Sequence, residues 1–290
     1  MASSESLIEV RLGSADVLAG VALSDAARWN QSVDDWQFIA AEGHAIGYRD
    51  AQSQLVASAA TLGYGPMSWI SMVLVSRDWQ HRGLATGLVN RCIDHLQTQG
   101  VMPVLDATPA GEAVYRRLGF QAGFEITRWE GELPCARLDP PDAPDCRSAD
   151  VQDLDAIAAL DRAATGADRR FLLKSFLTRH GSRAWLLLDG ARRAIGFTVA
   201  RQGRRAMQIG PLIAQSATQA MALLDAAMVR LAGPVFLDVP ARWIALAEAL
   251  AARGFRRQRS FVRMALADRV PDAIARVDDR LFVVAGPEFG

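Results

Sequence analysis

Ile70-Ser71-Met72-Val73-Leu74-Val75, followed after a short spacer by Gln80-His81-Arg82-Gly83-Leu84-Ala85, decides how this chain of 290 residues is read. The first stretch is a nearly continuous apolar run, as expected of a strand buried on both faces. From Arg82 to Gln99, residues Leu84, Leu88, Cys92 and Leu96 recur at helical spacing, and Gly100 stops the pattern. A helix therefore starts directly after the strand and its turn. Its first N–H groups have no partner within the helix and sit at the positive end of its dipole. Gly83 lets the backbone come close to a ligand, and the whole suits a phosphate or pyrophosphate.

The spacing Gln/Arg-x-x-Gly-x-Gly/Ala after a strand resembles the coenzyme A loop of the GNAT superfamily of N-acetyltransferases. A second segment, Asp106-Ala107-Thr108-Pro109-Ala110-Gly111-Glu112-Ala113-Val114-Tyr115-Arg116-Arg117-Leu118-Gly119-Phe120, strengthens it. Its Tyr-x-x-x-Gly-Phe ending is similar to the close of that superfamily's fourth helix. The resemblance implies that the backbone of Val73, Leu74 and Val75 bonds the pantetheine arm and polarises the thioester carbonyl. It implies that Gln80, His81, Arg82, Gly83, Leu84, Ala85 and Thr86 hold the pyrophosphate, and that Tyr115 protonates the departing thiolate. Thr108 stands where the family usually has an asparagine on the pantetheine arm, and Gly111 where it usually has alanine. A threonine hydroxyl would replace part of that contact.

Acetyl transfer to an amine requires a neutral amine, a polarised carbonyl and a proton donor for the thiolate. Superfamily members often take the amine proton with a glutamate on the strand entering the loop, yet Trp69 to Ser76 carries no carboxylate. Asp106, at the end of a strand, is the first candidate base. Asp34, Asp35 and Glu42 are further candidates, and a water chain to solvent is another route. Trp29, Asn30 and Trp36, on the first two helices, are expected to line the acceptor pocket; core packing is the other reading of such aromatics. No cysteine stands at a strand end where a covalent nucleophile would be expected, which favours direct attack.

Composition bounds the rest. The chain is long enough for two cores, and 50% of it is apolar. Lys+Arg and Asp+Glu balance at 32 each, so no strong field for nucleic acid or anionic membrane is expected. Lys174 is the only lysine, and the arginine and alanine bias points to a GC-rich, bacterial genome. Cys92, Cys135 and Cys146 form no even disulfide set, there is no secretory leader pattern, and no apolar run reaches bilayer length. A cytoplasmic protein is expected. Cys92-x-x-His95 lacks a second ligand pair, so no metal is expected.

The pattern repeats along the chain. A short strand at Ile8 to Leu12, helices at Ala15 to Trp29 and through Trp36, and strands at His44 to Arg49, Gln54 to Leu62 and Trp69 to Ser76 precede the loop. The second half repeats this plan beyond a segment crowded with Pro134, Pro140, Pro141 and Pro144. There the loop glycine is replaced within Ala214-Gln215-Ser216-Ala217, and Leu250 stands four before Gly254 where the tyrosine would be. The fold class expected is α/β (α+β): two tandem GNAT-like domains, each a mixed, mostly antiparallel twisted sheet flanked by helices. Residues 1–132 form the acetyl-CoA-binding domain, 133–146 the linker, and 147–290 a degenerate copy with a closing tail packed on one domain. The expected activity is acetyl transfer from acetyl-CoA to a primary amine of a small molecule or peptide. The alternatives are a non-catalytic acyl-CoA sensor and an enzyme that uses a longer acyl donor.

Overall fold

The computed structural model describes residues 7–134, 145–267, 274 and 277–290. The chain forms two compact units, one reaching to Leu105 and including Phe289, the other running from Asp106 to Glu288 and including Gly290.

The first unit contains β1 (Ile8–Leu12), α1 (Val17–Ala26), α2 (Val33–Glu42), β2 (His44–Arg49), β3 (Leu55–Gly63), β4 (Met67–Val75), α3 (Leu84–Gln97) and most of β5 (Met102–Ala107). β1 to β4 form an antiparallel ladder in chain order. β5 joins parallel to β4 through Met67↔Met102, Ser68↔Pro103 and Trp69↔Val104. β3 is buried at every position from Leu55 to Leu62, so both faces of the sheet are covered at its centre. Its Ala57-Ser58-Ala59-Ala60 core lets α1 and α3 pack close to β3 and β4. On α3 the buried stripe is Leu88, Val89, Cys92, Ile93 and Leu96, and burying each aliphatic side chain stabilises by roughly 1.5–3 kcal/mol.

Local sequence sets how α2 starts. Ser32 Oγ accepts from Asp35 N at 3.2 Å, and the Asp35 carboxylate accepts from Ser32 N at 2.9 Å, a reciprocal capping box. The next residue corrects an expectation. Trp36 does not line a pocket: it is 2% exposed and donates Nε1 to Ser24 Oγ at 2.9 Å. Its ring lies so close over Gly20 that a Cβ there would come within 2.6 Å. Trp36 locks α2 onto α1.

The second unit contains α4 (Pro109–Arg117), β6 (Gln121–Leu133), β7 (Cys146–Ala149), α5 (Leu154–Thr165), α6 (Arg170–Thr178), β8 (Arg183–Leu188), β9 (Ala194–Arg201), β10 (Met207–Ile213), α7 (Ala217–Met228), β11 (Gly233–Pro240), α8 (Ile244–Ala252), β12 (Arg256–Ala265) and β13 (Leu281–Val283). β7 to β10 form an antiparallel ladder and β11 runs parallel to β10. The order of strands and helices from β7 to β12 repeats that from β1 to β6, which is the structural form of the internal duplication. β6 lies between β11 and β12, antiparallel to both. That strand is encoded before the proline-rich segment but pairs with strands encoded after it. The compact units consequently divide at Leu105/Asp106, whereas the sequence repeat divides near Leu133. Of the expected linker, Leu133 ends β6 and Cys146 begins β7, while 135–144, with Cys135, lies outside the described residues.

Buried charge in the second unit is paired. The register sets Arg128 opposite Asp238, and the guanidinium grips both carboxylate oxygens at 2.8 and 2.7 Å. Gln208 Nε2 adds a bond to Asp238 at 3.0 Å.

Candidate active site

β4 carries one residue more than its partner where it matters. Ser58 pairs with Leu74 and Ala60 with Ser71, so Met72 and Val73 face Ala59 alone, a β-bulge. Met72 takes φ +54 while almost fully buried, and Ser58 Oγ donates to its carbonyl at 2.8 Å. A left-handed residue of this kind costs about 1–3 kcal/mol and persists only when its surroundings impose it. Among the described residues, β5 pairs with β4 only along Met67–Trp69. The strands then part, and the edge of β4 from Ile70 to Val75 that faces away from β3 is left outside that ladder. Leu74 buries its side chain, while Val73 and Val75 are half-buried.

The chain leaves β4 through a single 3-10 turn, Arg77–Trp79. Gln80 Nε2 donates back to Val75 O at 3.2 Å. Arg82 Nη2 donates to Asp78 O at 3.0 Å, with its guanidinium 4.6 Å from the Trp79 ring centre. These side chains brace the loop's own backbone. His81 and Gly83 both adopt positive φ, +62 and +80, which turns the chain sharply into α3. Gly83 is the N-cap of α3 and supplies no side-chain cap. A Cβ at Gly83 would meet nothing within 4 Å, so the space over it is open. The first helical bond runs from Gly87 N to Gly83 O at 2.9 Å. The amides of Leu84, Ala85 and Thr86 thus precede the first carbonyl that the helix could offer them, an anion-binding arrangement.

In the second unit, Thr108 is the N-cap of α4, its Oγ1 accepting from Gly111 N at 3.3 Å. That hydroxyl oxygen is committed to the helix, leaving its O–H to donate. Tyr115 is half-buried one turn beyond Gly111, with its ring 6.0 Å from that of Phe120. A Cβ on Gly111 would lie 2.8 Å from Tyr115 Cε2. Glycine here lets the phenol ring lie back along the helix.

The proposed bases fare differently. Asp106 has a fully buried side chain, and Arg263 donates Nε and Nη2 to its two oxygens at 2.9 Å each. An amine could reach it only by opening that pair. Asp35 is spent in the capping box of α2. Asp34 and Glu42 are exposed, Trp29 is half-buried and Asn30 is buried. Arg263 escaped sequence reading because no short-range pattern links it to a residue 157 positions away. Ser58, which holds the bulge, escaped it because a serine within a strand carries no spacing signal.

A model of the "Acetyltransferase (GNAT) family" matches residues 19–120, and one of the "Acetyltransferase (GNAT) domain" matches residues 157–277. The chain belongs to the GNAT acetyltransferases. It carries one GNAT domain in each half, and the chemistry of the family is acyl transfer from acyl-CoA to an acceptor. It is 24% identical over 220 residues to the uncharacterized N-acetyltransferase YitH of Bacillus subtilis, covering 74% of this chain and 76% of that one. It is 25% identical over 236 residues to a holothin acyltransferase of a Pseudoalteromonas species, covering 79% and 78%. Among solved structures, a proposed acetyltransferase of Pyrococcus horikoshii superposes with a TM-score of 0.77 at 19% identity, over 98% of this chain and 96% of the other. A tandem GNAT protein from the clavulanic acid pathway superposes with 0.63 at 16%, over 90% and 98%.

The two GNAT domains differ at the loop. In the second, Ser216 caps α7 by accepting from Gln219 N at 3.3 Å, and Gln219 Oε1 accepts from Gln215 N at 2.9 Å. The amide cluster left open before α3 is partly satisfied before α7 by side chains of the loop itself. Cys92 is buried in α3, and burial pushes its thiol up to about 12, far from a nucleophile at neutral pH. Among the described residues no three His, Cys, Asp or Glu side chains group as metal ligands, and no helix is long and apolar enough to cross a membrane.

Proposed function

We propose that the first GNAT domain binds acetyl-CoA and passes its acetyl group to a primary amine by direct attack. The observation that carries this reading is the continuous run from the Met72 bulge to α3. An opened strand edge leads into a turn with Gly83 at φ +80 and a helix N-terminus without a side-chain cap. The backbone of Val73 to Val75 would hold the pantetheine arm and polarise the thioester carbonyl. The amides from His81 to Thr86 would hold the pyrophosphate, and Thr108 would donate its O–H to the arm. Tyr115 would protonate the thiolate as the C–S bond breaks, a contribution of about 10²–10⁴-fold for a positioned acid.

The amine proton leaves through water to solvent, since Asp106 is closed by Arg263 and β4 bears no carboxylate. The same observation favours the second reading, an acyl-CoA-binding sensor without turnover. Free-thiol release from acetyl-CoA, followed with a panel of amino acids, polyamines, aminoglycosides and lysine peptides, separates them. Turnover with any amine supports the enzyme; saturable binding without thiol release from any of them supports the sensor. Longer acyl-CoA donors belong in the panel, because one relative is named an acyltransferase. A cytoplasmic, bacterial setting and a small-molecule or peptide amine acceptor complete the proposal.

A further inference from the structure

β10 and β11 of the second GNAT domain part just as β4 and β5 do. They pair in parallel through Met207↔Val235, Gln208↔Phe236 and Ile209↔Leu237, and then the pairing ends. β10 also carries the bulge. Ile209 pairs with Ala200 and Leu212 with Thr198, leaving Gly210 and Pro211 opposite Val199. Leu212 and Ile213 in the second domain therefore correspond to Leu74 and Val75 in the first, and Pro211 to Val73. Proline has no N–H, so one donor of the equivalent edge is already lost.

The gap is filled from within the chain. β13 pairs antiparallel with β10, Leu212 with Val283 and Ile213 with Leu281, and Ala214 N donates to Arg280 O at 3.0 Å. On the other side Val284 N donates to Asp238 O of β11 at 3.0 Å. The segment thus bonds both strands of the splay. Gly210 permits the approach: a Cβ there would stand 2.2 Å from Val284 O. Phe282 stacks on Trp243 with ring centres 4.1 Å apart, and Trp243 Nε1 donates to Leu281 O at 2.6 Å. Arg201 donates to Ala285 O at 2.8 Å and pairs with Glu288. Phe282, Val283, Val284 and Ala285 are at most 1% exposed.

We propose that Leu281–Ala285 is an internal substitute for the pantetheine arm, closing the second GNAT domain to acyl-CoA so that each chain binds a single acyl-CoA. An extended peptide and a pantetheine arm make the same demands on a strand edge: alternating amide donors and acceptors on a narrow, extended body. The segment meets those demands and adds apolar burial that a passing cofactor would have to displace. This inference rests on the reading that the matching edge of β4 is the acyl-CoA site.

Hydrogen–deuterium exchange of the full chain, with and without saturating acetyl-CoA, tests it. In the free protein, amides of 281–285 should exchange about a hundredfold or more slower than unstructured chain, and acetyl-CoA should leave them and 209–214 unchanged. Fast exchange of 281–285 in the free protein overturns the inference. So does a ligand effect in which 281–285 speeds up while 209–214 slows. Gly210→Ala should accelerate 281–285 about tenfold or more by crowding Val284 O, and undiminished protection there contradicts the inference. The first-domain reading is judged separately, by whether acetyl-CoA slows 73–86. If it does not, that reading fails, while exchange at 281–285 still decides whether the segment fills the splay.

Discussion

Asp106 and Arg263 lie 157 residues apart in sequence and meet as a bidentate ion pair, both contacts 2.9 Å, with the carboxylate fully buried. Burial raises the Asp106 pKa and is the largest influence on it, opposed by the charge and hydrogen bonds of Arg263. The pair anchors the end of β5 to β12, and its members are not interchangeable with apolar residues one at a time.

Arg263→Met should cost about 3–5 kcal/mol at neutral pH, because it strands a buried carboxylate. A carboxylate whose folded pKa is raised contributes stability that is present below its unfolded value near 3.9 and is lost as pH rises through the folded value. Without Arg263 the folded value rises further. The deficit of the variant should therefore shrink as pH falls from 7.5 toward 4.5, as read by denaturant unfolding at each pH. Asp106→Asn should be destabilised as well, but below its melting temperature its pH–rate profile should keep the wild-type shape. Loss of the limb that reports amine deprotonation would restore Asp106 as the base.

Tyr115→Phe should lower kcat by about 10²–10⁴-fold and leave the affinity for acetyl-CoA nearly unchanged. Equal losses in both would remove Tyr115 from the role of acid. Gly111→Ala tests the same point while keeping the phenol hydroxyl, since the added methyl would stand 2.8 Å from Tyr115 Cε2 and displace the ring. Alanine gains up to about 1 kcal/mol of helix propensity, so stability should hold while kcat falls toward that of Tyr115→Phe. Unaltered turnover would mean that the ring's lie along α4 does not matter.

His44 stacks on His95 with ring centres 3.9 Å apart, and its Nδ1 accepts from Arg11 at 2.5 Å. Burial first, then His95 and Arg11, lower its pKa to about 4. The unfolded chain binds its proton near 6.5, so the contribution of neutral His44 is complete above that pH and is lost as pH falls toward 4. Thermal melts between pH 7.5 and 4.5 should show a shallower acid decline for His44→Gln than for wild type. Parallel curves would show that the pair is not a source of acid lability.

Much of this molecule is legible in its residues, and the remainder is hidden for identifiable reasons. β2 is expected at His44 to Arg49 and found there, a short run from Ala45 to Tyr48 between polar flanks. β4 begins two residues earlier than expected, at Met67, because parallel pairing with Met102 extends it. The turn from β4 into α3 can be read because glycine, polar spacer and helix onset are contiguous. Trp36 misleads because an aromatic on an amphipathic helix looks the same whether it faces a pocket or, as here, Ser24 and Gly20. Thr108 shows the same limit: its hydroxyl can serve a ligand, yet its oxygen caps α4. The ion pair of Asp106 and the strand at Leu281–Val283 depend on partners far away in sequence. No local period reports such contacts.

Calorimetric titration of acetyl-CoA into wild type and Gly83→Glu tests the central claim most directly. The substitution sets a carboxylate over the open amides of α3 and places a side chain on a backbone at φ +80. One-site binding in wild type, weakened about a hundredfold or more in a variant whose fold is verified by circular dichroism, is the predicted result. Undiminished binding in a folded Gly83→Glu protein would contradict it and place acyl-CoA elsewhere in the chain.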